Sequence, residues 1–67
     1  MSFTVNVGYD ETERRYFVLS SDIPGLNIEA GTFEEFVEAA QDAAPDLIGD
    51  HAVGAKIRFE REVAIAS

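Results

Sequence analysis

The sequence predicts an α+β two-layer sandwich, in which an antiparallel sheet carries one helix on one of its faces. Three observations indicate this class. Apolar and polar residues alternate with period two toward both ends of the chain, an apolar stripe of helical period lies between them, and turn residues separate these segments. The predicted order is β-β-β-α-β. With 67 residues, the chain has room for one domain, residues 1–67.

The first two strands are predicted from alternation and from apolar content. Apolar residues occupy every odd position of residues 3–9, which is typical of a half-buried strand. The charged segment 10–15 predicts a hairpin loop. Residues 16–21 are apolar on both faces, which is typical of a central strand or of a strand covered on both sides. We expect these two strands to form an antiparallel hairpin.

A turn and a short third strand follow. In segment 22–25, Pro24 presets φ for the second position of a turn, and Gly25 can take the positive φ that a type II turn needs at its third position. Residues 26–30 then alternate between apolar and polar, which predicts the third strand. Gly31 ends it.

The start of the helix has the clearest signal in the chain. Thr32 and Glu35 predict a capping box, in which the Thr32 hydroxyl can accept from the Glu35 backbone N–H and the Glu35 carboxylate can reach back to the Thr32 N–H. Apolar residues at steps of three and four then predict one continuous apolar face up to Ile48. Pro45 either ends the helix near Ala44 or kinks it. The unbroken period favours the kink.

A loop is predicted at residues 49–54, and a long final strand at residues 55–67, where Arg61 interrupts the apolar face. If this strand lies at the edge of the sheet, its unpaired backbone groups can dock another strand. Edge pairing between two copies of the chain is one use of such a strand, and burial inside the sheet of one copy is the alternative.

Charge narrows the class of partner. The chain carries 13 acidic and 5 basic residues, a formal net charge of −8. Such a chain repels phosphate backbones, so direct nucleic-acid binding is not expected and a basic protein partner is favoured. On the final strand, Lys56 and Arg58 share a face with Glu60 and Glu62, which indicates ion pairing across strands instead of a nucleic-acid patch.

Size and hydropathy set further expectations. A domain this small is marginally stable alone, and without cysteine it has no disulfide, so we expect a homodimer. No apolar run approaches the roughly 20 residues of a membrane span. The first residues lack the basic segment and apolar core of a secretory signal, so a cytoplasmic location is expected.

The titratable residues form no recognisable active site. Asp10, Asp22 and Glu29 lie on or beside neighbouring strands, where carboxylates can hold divalent metals for phosphodiester cleavage. They also lie near turns, where such residues commonly accept local hydrogen bonds, and this interpretation is favoured. His51, beside Asp50, has no orienting partner in the sequence. We therefore predict no enzyme, no catalytic or metal-binding residues, and no cofactor.

One charged pattern is a candidate partner-binding surface. Acidic residues recur every four positions along the helix with no basic residue between them, and we call this row the acidic stripe: Glu34, Glu38, Asp42 and Asp46. Like charges at this spacing repel each other by a few tenths of a kcal/mol per pair. The stripe is compatible with docking of a basic partner, but residue chemistry alone favours a plain solvated helix face.

Several short motifs follow one another in a fixed order. They are V-x-Y-D-E at the end of the first strand, Tyr16 at the start of the second, S-D-I-P-G-L followed by E-A, T-x-E-E at the helix start, and A-P-D-L-I at its end. In this combination, residues 3–48 resemble the N-terminal domain of HicB-type antitoxins and their short relatives.

The resemblance implies a single HicB-like domain with a partial RNase H-like fold that lacks the catalytic carboxylates of the nuclease. It also implies a non-catalytic domain that neutralises a small basic mRNA-cleaving toxin by covering it, and that often dimerises. Full HicB antitoxins carry a C-terminal DNA-binding segment, for which this chain has no room, so autorepression by this chain alone is not expected. The runner-up is a stand-alone homodimeric module without a toxin partner, and a degenerate metal-dependent nuclease comes third.

Overall fold

A computed structural model describes residues 2–61 of the chain. The elements in chain order are β1 (Ser2–Asp10), β2 (Arg15–Ser21), β3 (Glu29–Ala30), α1 (Phe33–Ile48), a short 3₁₀ helix (Gly49–Ala52) and β4 (Lys56–Arg61). The predicted β-β-β-α-β order is confirmed, and so is the α+β class, with one helix packed on one face of the sheet.

The four strands form one mixed sheet in the order β3-β2-β1-β4. Strand β2 runs antiparallel to β1 and β3, whereas β4 runs parallel to β1. The prediction of an antiparallel sheet is therefore wrong for β4. Helix α1 carries the chain back along the sheet from the end of β3, so β4 starts at the same end as β3 and β1 and points in their direction.

The third strand is shorter than predicted. Strand β3 contains only Glu29 and Ala30, which pair with Phe17 and Tyr16 of β2. Residues 26–28 do not pair with another strand. Their apolar alternation reflects the burial of Leu26 and the packing of Ile28 against the core. The remainder of the predicted final strand, residues 62–67, lies outside the described residues.

The turn before β3 has the predicted geometry. The Leu26 N–H donates to the Ile23 carbonyl at 3.4 Å, and Gly25 has a φ of +75°, as the third position of a type II turn requires. The Ser21 hydroxyl accepts from the Ile23 N–H at 2.9 Å and donates to its carbonyl at 3.0 Å. These bonds hold Ile23 in the core, where its exposed fraction is 2%.

The helix begins where the capping signal predicts. Thr32 is extended, with φ −127° and ψ 158°, and its hydroxyl accepts from the Glu35 N–H at 3.1 Å. Within residues 2–61, the return bond from the Glu35 carboxylate is not formed, so half of the capping box is present. One orphan N–H of the first turn is thereby satisfied.

The helix continues through Pro45 to Ile48, so the alternative of an end near Ala44 is wrong. Because proline has no N–H, the carbonyl of Gln41 loses its usual helical donor. The Gly49 N–H donates to the Pro45 carbonyl and closes the last turn. Burial of Ala44 and Ile48 on either side of the proline keeps this turn on the sheet.

The core lies between α1 and one face of the sheet. The helix contributes residues at steps of four, and the sheet and the turn contribute the others: Val5, Val7, Ile23, Leu26, Ala30, Phe36, Ala40, Ala44 and Ile48. Phe36 is fully buried and lies edge-on to Phe59 at 6.2 Å between ring centroids. Burial of a side chain such as Phe36 is worth about 1.5–3 kcal/mol. Within residues 2–61, no further element covers the outer face of α1 or the face of the sheet that points away from the helix.

We predict that Thr32→Ala lowers the free energy of unfolding by about 1 kcal/mol, because the first turn loses its side-chain cap. Chemical denaturation monitored by circular dichroism measures the change. Thr32→Ser is the matched control, since serine keeps the hydroxyl, and it should leave the midpoint nearly unchanged. Equal midpoints for the alanine variant and the wild type would contradict the capping role.

We predict that Gly25→Val destabilises the fold by about 1–3 kcal/mol, because a β-branched residue is strained at positive φ. Space is not the cause, since an added Cβ would lie 3.5 Å from the Leu47 Cδ2 atom, an ordinary contact. Gly31→Val is the control, because its added Cβ would meet no heavy atom within 4 Å. Thermal unfolding of the two variants should differ clearly, and similar melting temperatures would argue against the strain.

Candidate functional site

The acidic stripe forms one row on the outer face of α1. All four of its members, Glu34, Glu38, Asp42 and Asp46, are exposed. They occur at successive steps of four residues, so at the rise of an α-helix the row is about 18 Å long. The row faces away from the sheet, and no element within residues 2–61 covers it.

The carboxylates of the stripe have no partner in the described part of the chain. No side-chain hydrogen bond there involves them, and the ion pair it contains joins Arg58 Nε to Glu60 Oε1 at 3.1 Å on β4. The last turn of α1 holds no basic residue. No basic side chain of residues 2–61 therefore pairs with the negative charges of this face.

The basic residues lie in the other layer. All five lie on the strands of the sheet or in the loop between β1 and β2: Arg14, Arg15, Lys56, Arg58 and Arg61. The helix carries none of them, so the charge is polarised between the two layers. A basic partner that approaches α1 would meet the acidic stripe without a competing cation on the same helix.

Of the three strand carboxylates, Asp10 and Asp22 accept hydrogen bonds from backbone N–H groups, and these two lie far apart. Asp10 Oδ1 accepts from the N–H groups of Thr12 at 2.9 Å and Glu13 at 3.2 Å, which caps the β1–β2 turn. Asp22 Oδ2 accepts from the Thr4 N–H at 3.2 Å, near the other end of β1. Thr4 and Asp10 lie six steps apart along β1, a distance of about 20 Å.

These positions give a metal no common ligand set. Glu29 shares a shallow cleft with Asp10, but Arg15 also lines it. Among residues 2–61, no group of three His, Cys, Asp or Glu side chains is placed to hold a metal ion. His51 lies exposed in the 3₁₀ helix. The geometry favours the structural interpretation of all these residues.

Arg61 has a role that the sequence pattern did not suggest. Its guanidinium carbon lies 4.4 Å from the ring centroid of Phe33 and 5.9 Å from that of Tyr16. Its Nη1–H group donates to the Tyr16 hydroxyl at 3.5 Å. Arg61 therefore extends the packing of the helix-facing side of β4 through a cation–π contact and does not interrupt that packing.

The open face of the sheet carries an apolar pair that sequence reasoning missed. Leu19 is 61% exposed and lies in a bulge, because Asn6 pairs with Ser20 and the next residue of β1, Val7, pairs with Val18. Phe17 and Leu19 lie over Gly8, where an added Cβ would come within 2.6 and 2.8 Å of them. Strand β2 is central, as predicted, but α1 covers only one of its faces. The apolar content on both faces was the available signal.

Comparisons with known proteins identify the domain but assign it no activity. A family model described as Domain of unknown function (DUF1902) matches residues 2–65. No curated protein matches the chain. The matched family is one of unknown function and not the HicB antitoxins, so the HicB resemblance stays a hypothesis.

A solved structure supports the fold. The crystal structure of the hypothetical protein TTHA1013 from the extremely thermophilic bacterium Thermus thermophilus superposes with a TM-score of 0.83. The two chains share 24% sequence identity, and the match covers 100% of each. At this identity the likeness concerns the fold alone. Within residues 2–61, no helix has the length and apolar content to cross a membrane.

We predict that Asp10→Ala lowers the free energy of unfolding by about 1 kcal/mol, because two turn N–H groups lose their acceptor. Glu11→Ala is the matched control, since Glu11 is exposed and accepts none of these bonds. Denaturant titration compares the two variants. A rise in the melting temperature on adding Mg²⁺ or Mn²⁺ that is seen in the wild type and lost in Asp10→Ala would favour the metal-binding interpretation instead.

Proposed function

The chain belongs to the family described as Domain of unknown function (DUF1902), and we propose that this member is a non-catalytic protein-binding domain. Its partner in this proposal is a small basic protein, and its contact surface is the acidic stripe. The observation that carries the proposal is the row of four exposed carboxylates that no side chain of residues 2–61 neutralises.

The energetics of the stripe support a basic partner. Like charges four residues apart destabilise a helix by a few tenths of a kcal/mol per pair. Ammonium or guanidinium groups spaced along the row would relieve this repulsion in the complex. The formal net charge of −8 would also speed the encounter with a basic protein, most strongly at low salt.

The resemblance to HicB antitoxins gives the proposal a specific form. The small basic protein would be an mRNA-cleaving toxin, and this domain would neutralise it by covering its surface in the cytoplasm. The motifs that carry the resemblance occupy fold-defining positions, such as the type II turn at Gly25 and the cap at Thr32. They support a common architecture, and they do not by themselves specify the contacts with a toxin.

The positions of the carboxylates support a binding role over a catalytic one. A two-metal nuclease holds its ions about 4 Å apart on converging carboxylates. Asp10 and Asp22 lie near opposite ends of β1 and accept backbone hydrogen bonds there. Neither is placed to share an ion with the other.

The second candidate function is a stand-alone homodimeric module without a toxin partner. One observation favours it: β4 ends the sheet within residues 2–61, so it can pair with a strand of another copy. The small size of the domain also makes association a source of stability.

The two candidates are separated by a pair of charge-reversal variants. Glu38→Lys, Asp42→Lys and Asp46→Lys together reverse three positions of the acidic stripe. Glu11→Lys, Glu13→Lys and Asp50→Lys together reverse three exposed carboxylates elsewhere. Each triple variant raises the formal net charge by six, from −8 to −2, so the pair differs only in where the charge lies.

We predict that the tagged wild type retains a small basic protein from host lysate, and that the stripe variant binds that purified protein at least about tenfold more weakly. The control variant should bind it nearly as the wild type does. Circular dichroism first verifies that both variants fold. Equal losses in the two variants would show that net charge alone decides binding. Recovery of only the domain's own copies would favour the homodimeric module.

A further inference from the structure

The last described strand has a charge order that is complementary to itself. On the face of β4 that points away from α1, the basic residues Lys56 and Arg58 precede Phe59 in the sequence, and the acidic residue Glu60 follows it. Within residues 2–61, β4 is bonded to β1 along one side and ends the sheet on the other. An edge of this kind presents backbone donors and acceptors to a further strand.

We propose that two copies of the chain pair their β4 strands antiparallel, about a two-fold axis at Phe59, and form a continuous eight-stranded sheet. In this register residue 58 of one copy lies opposite residue 60 of the other. Each Arg58 then faces Glu60 of the second copy, and the symmetry makes this contact twice. Opposite charges placed directly across an antiparallel pair stabilise it.

The charges select this register over its neighbours. A two-fold axis at residue 57 would place Lys56 of one copy opposite Arg58 of the other. An axis at residue 58 would place the two Arg58 side chains opposite each other, and an axis at residue 60 would place the two Glu60 side chains opposite each other. Like charges directly opposite each other destabilise a strand pair. The axis at Phe59 avoids all three conflicts.

The pairing also extends an ion pair that already exists. Arg58 Nε and Glu60 Oε1 lie 3.1 Å apart within one copy, and their side chains are 75% and 45% exposed. Across the two-fold axis, the two pairs become a cluster of four alternating charges. A single exposed ion pair contributes little to stability, whereas a network of several contributes more.

The other side of the same edge is apolar. A groove of about 220 Å³ lies between the C-terminal half of α1 and β4, lined in part by Pro45 and Ile48 of the helix and by Ile57 and Phe59 of the strand. The two-fold axis at Phe59 brings the grooves of the two copies toward each other on the helix side of the sheet. On this face the same register sets Ile57 opposite Arg61 of the second copy. The interface thus combines largely apolar contacts on one face with charge matching on the other.

This interface does not use the acidic stripe, which lies on the outer face of α1. Self-pairing at β4 is therefore independent of the proposed binding of a basic protein. Either can fail without the other.

The test uses two single charge reversals in the full chain, Arg58→Glu and Glu60→Arg. Each one places like charges opposite each other twice in the homodimer, so each should weaken dimerisation at least about tenfold. Their effects on net charge are opposite, so a general charge effect would move the two variants in different directions. Sedimentation equilibrium measures the dissociation constants, after circular dichroism has verified the fold.

The decisive measurement mixes the two variants. A copy with glutamate at both positions and a copy with arginine at both positions match each other across the axis, so the mixture should form a heterodimer about as tight as the wild-type dimer. Native mass spectrometry with one variant isotopically labelled distinguishes the heterodimer from the homodimers. The double variant Arg58→Glu/Glu60→Arg should dimerise like the wild type, which guards against a simple loss of folding.

Three results would overturn the proposal. The first is a wild type that stays monomeric at concentrations up to about 1 mM. The second is dimerisation that both single reversals leave unchanged. The third is a mixture of the two single variants that shows no preference for the heterodimer.

Discussion

A single helix has to cover the sheet of this protein, and the rest of the structure depends on how closely that helix can approach. The contact row runs through Phe36, Ala40, Ala44 and Ile48 at steps of four. The two alanines let the helix backbone lie close to the strands, and the larger residues at either end fill the space above β1 and the turn. The Thr32 cap and the tight turn at Gly25 fix where this row begins. Because one helix covers one face, the other face of the sheet and the outer side of α1 remain available for contacts with other molecules.

Local signals were sufficient to predict much of the fold. The type II turn, the capped helix start and the apolar helix face each depend on residues within about one turn of each other, and all three are present. The direction of β4 and the two-residue length of β3 depend on which strands meet in the sheet. Alternation in residues 26–30 is compatible with a strand and equally with a loop that buries Leu26, and the packing of the core decides between them.

The candidate site divides in the same way. The acidic stripe could be predicted because a period of four along one helix places its members in one row whatever the helix packs against. Arg61 and Leu19 could not be assigned correctly from sequence. The position of Arg61 over Phe33 depends on a contact between β4 and α1, and the exposure of Leu19 depends on a bulge in β2. Such arrangements follow from tertiary packing, which short-range patterns do not specify.

The parallel pairing of β1 with β4 also constrains when the domain can fold. Residue 2 pairs with residue 56 and residue 7 with residue 61, a separation of 54 positions in both cases. Contacts that span so much of a chain are slow to form, because the intervening segment must be closed first. On the ribosome the chain emerges from its N-terminus, so β1 is synthesised first and waits longest for its second neighbour. The hairpin of β1 and β2 can form early, but Phe59 reaches the aromatic core only after β4 has also been synthesised. The sheet is therefore completed only after residues 2–61 have all left the ribosome.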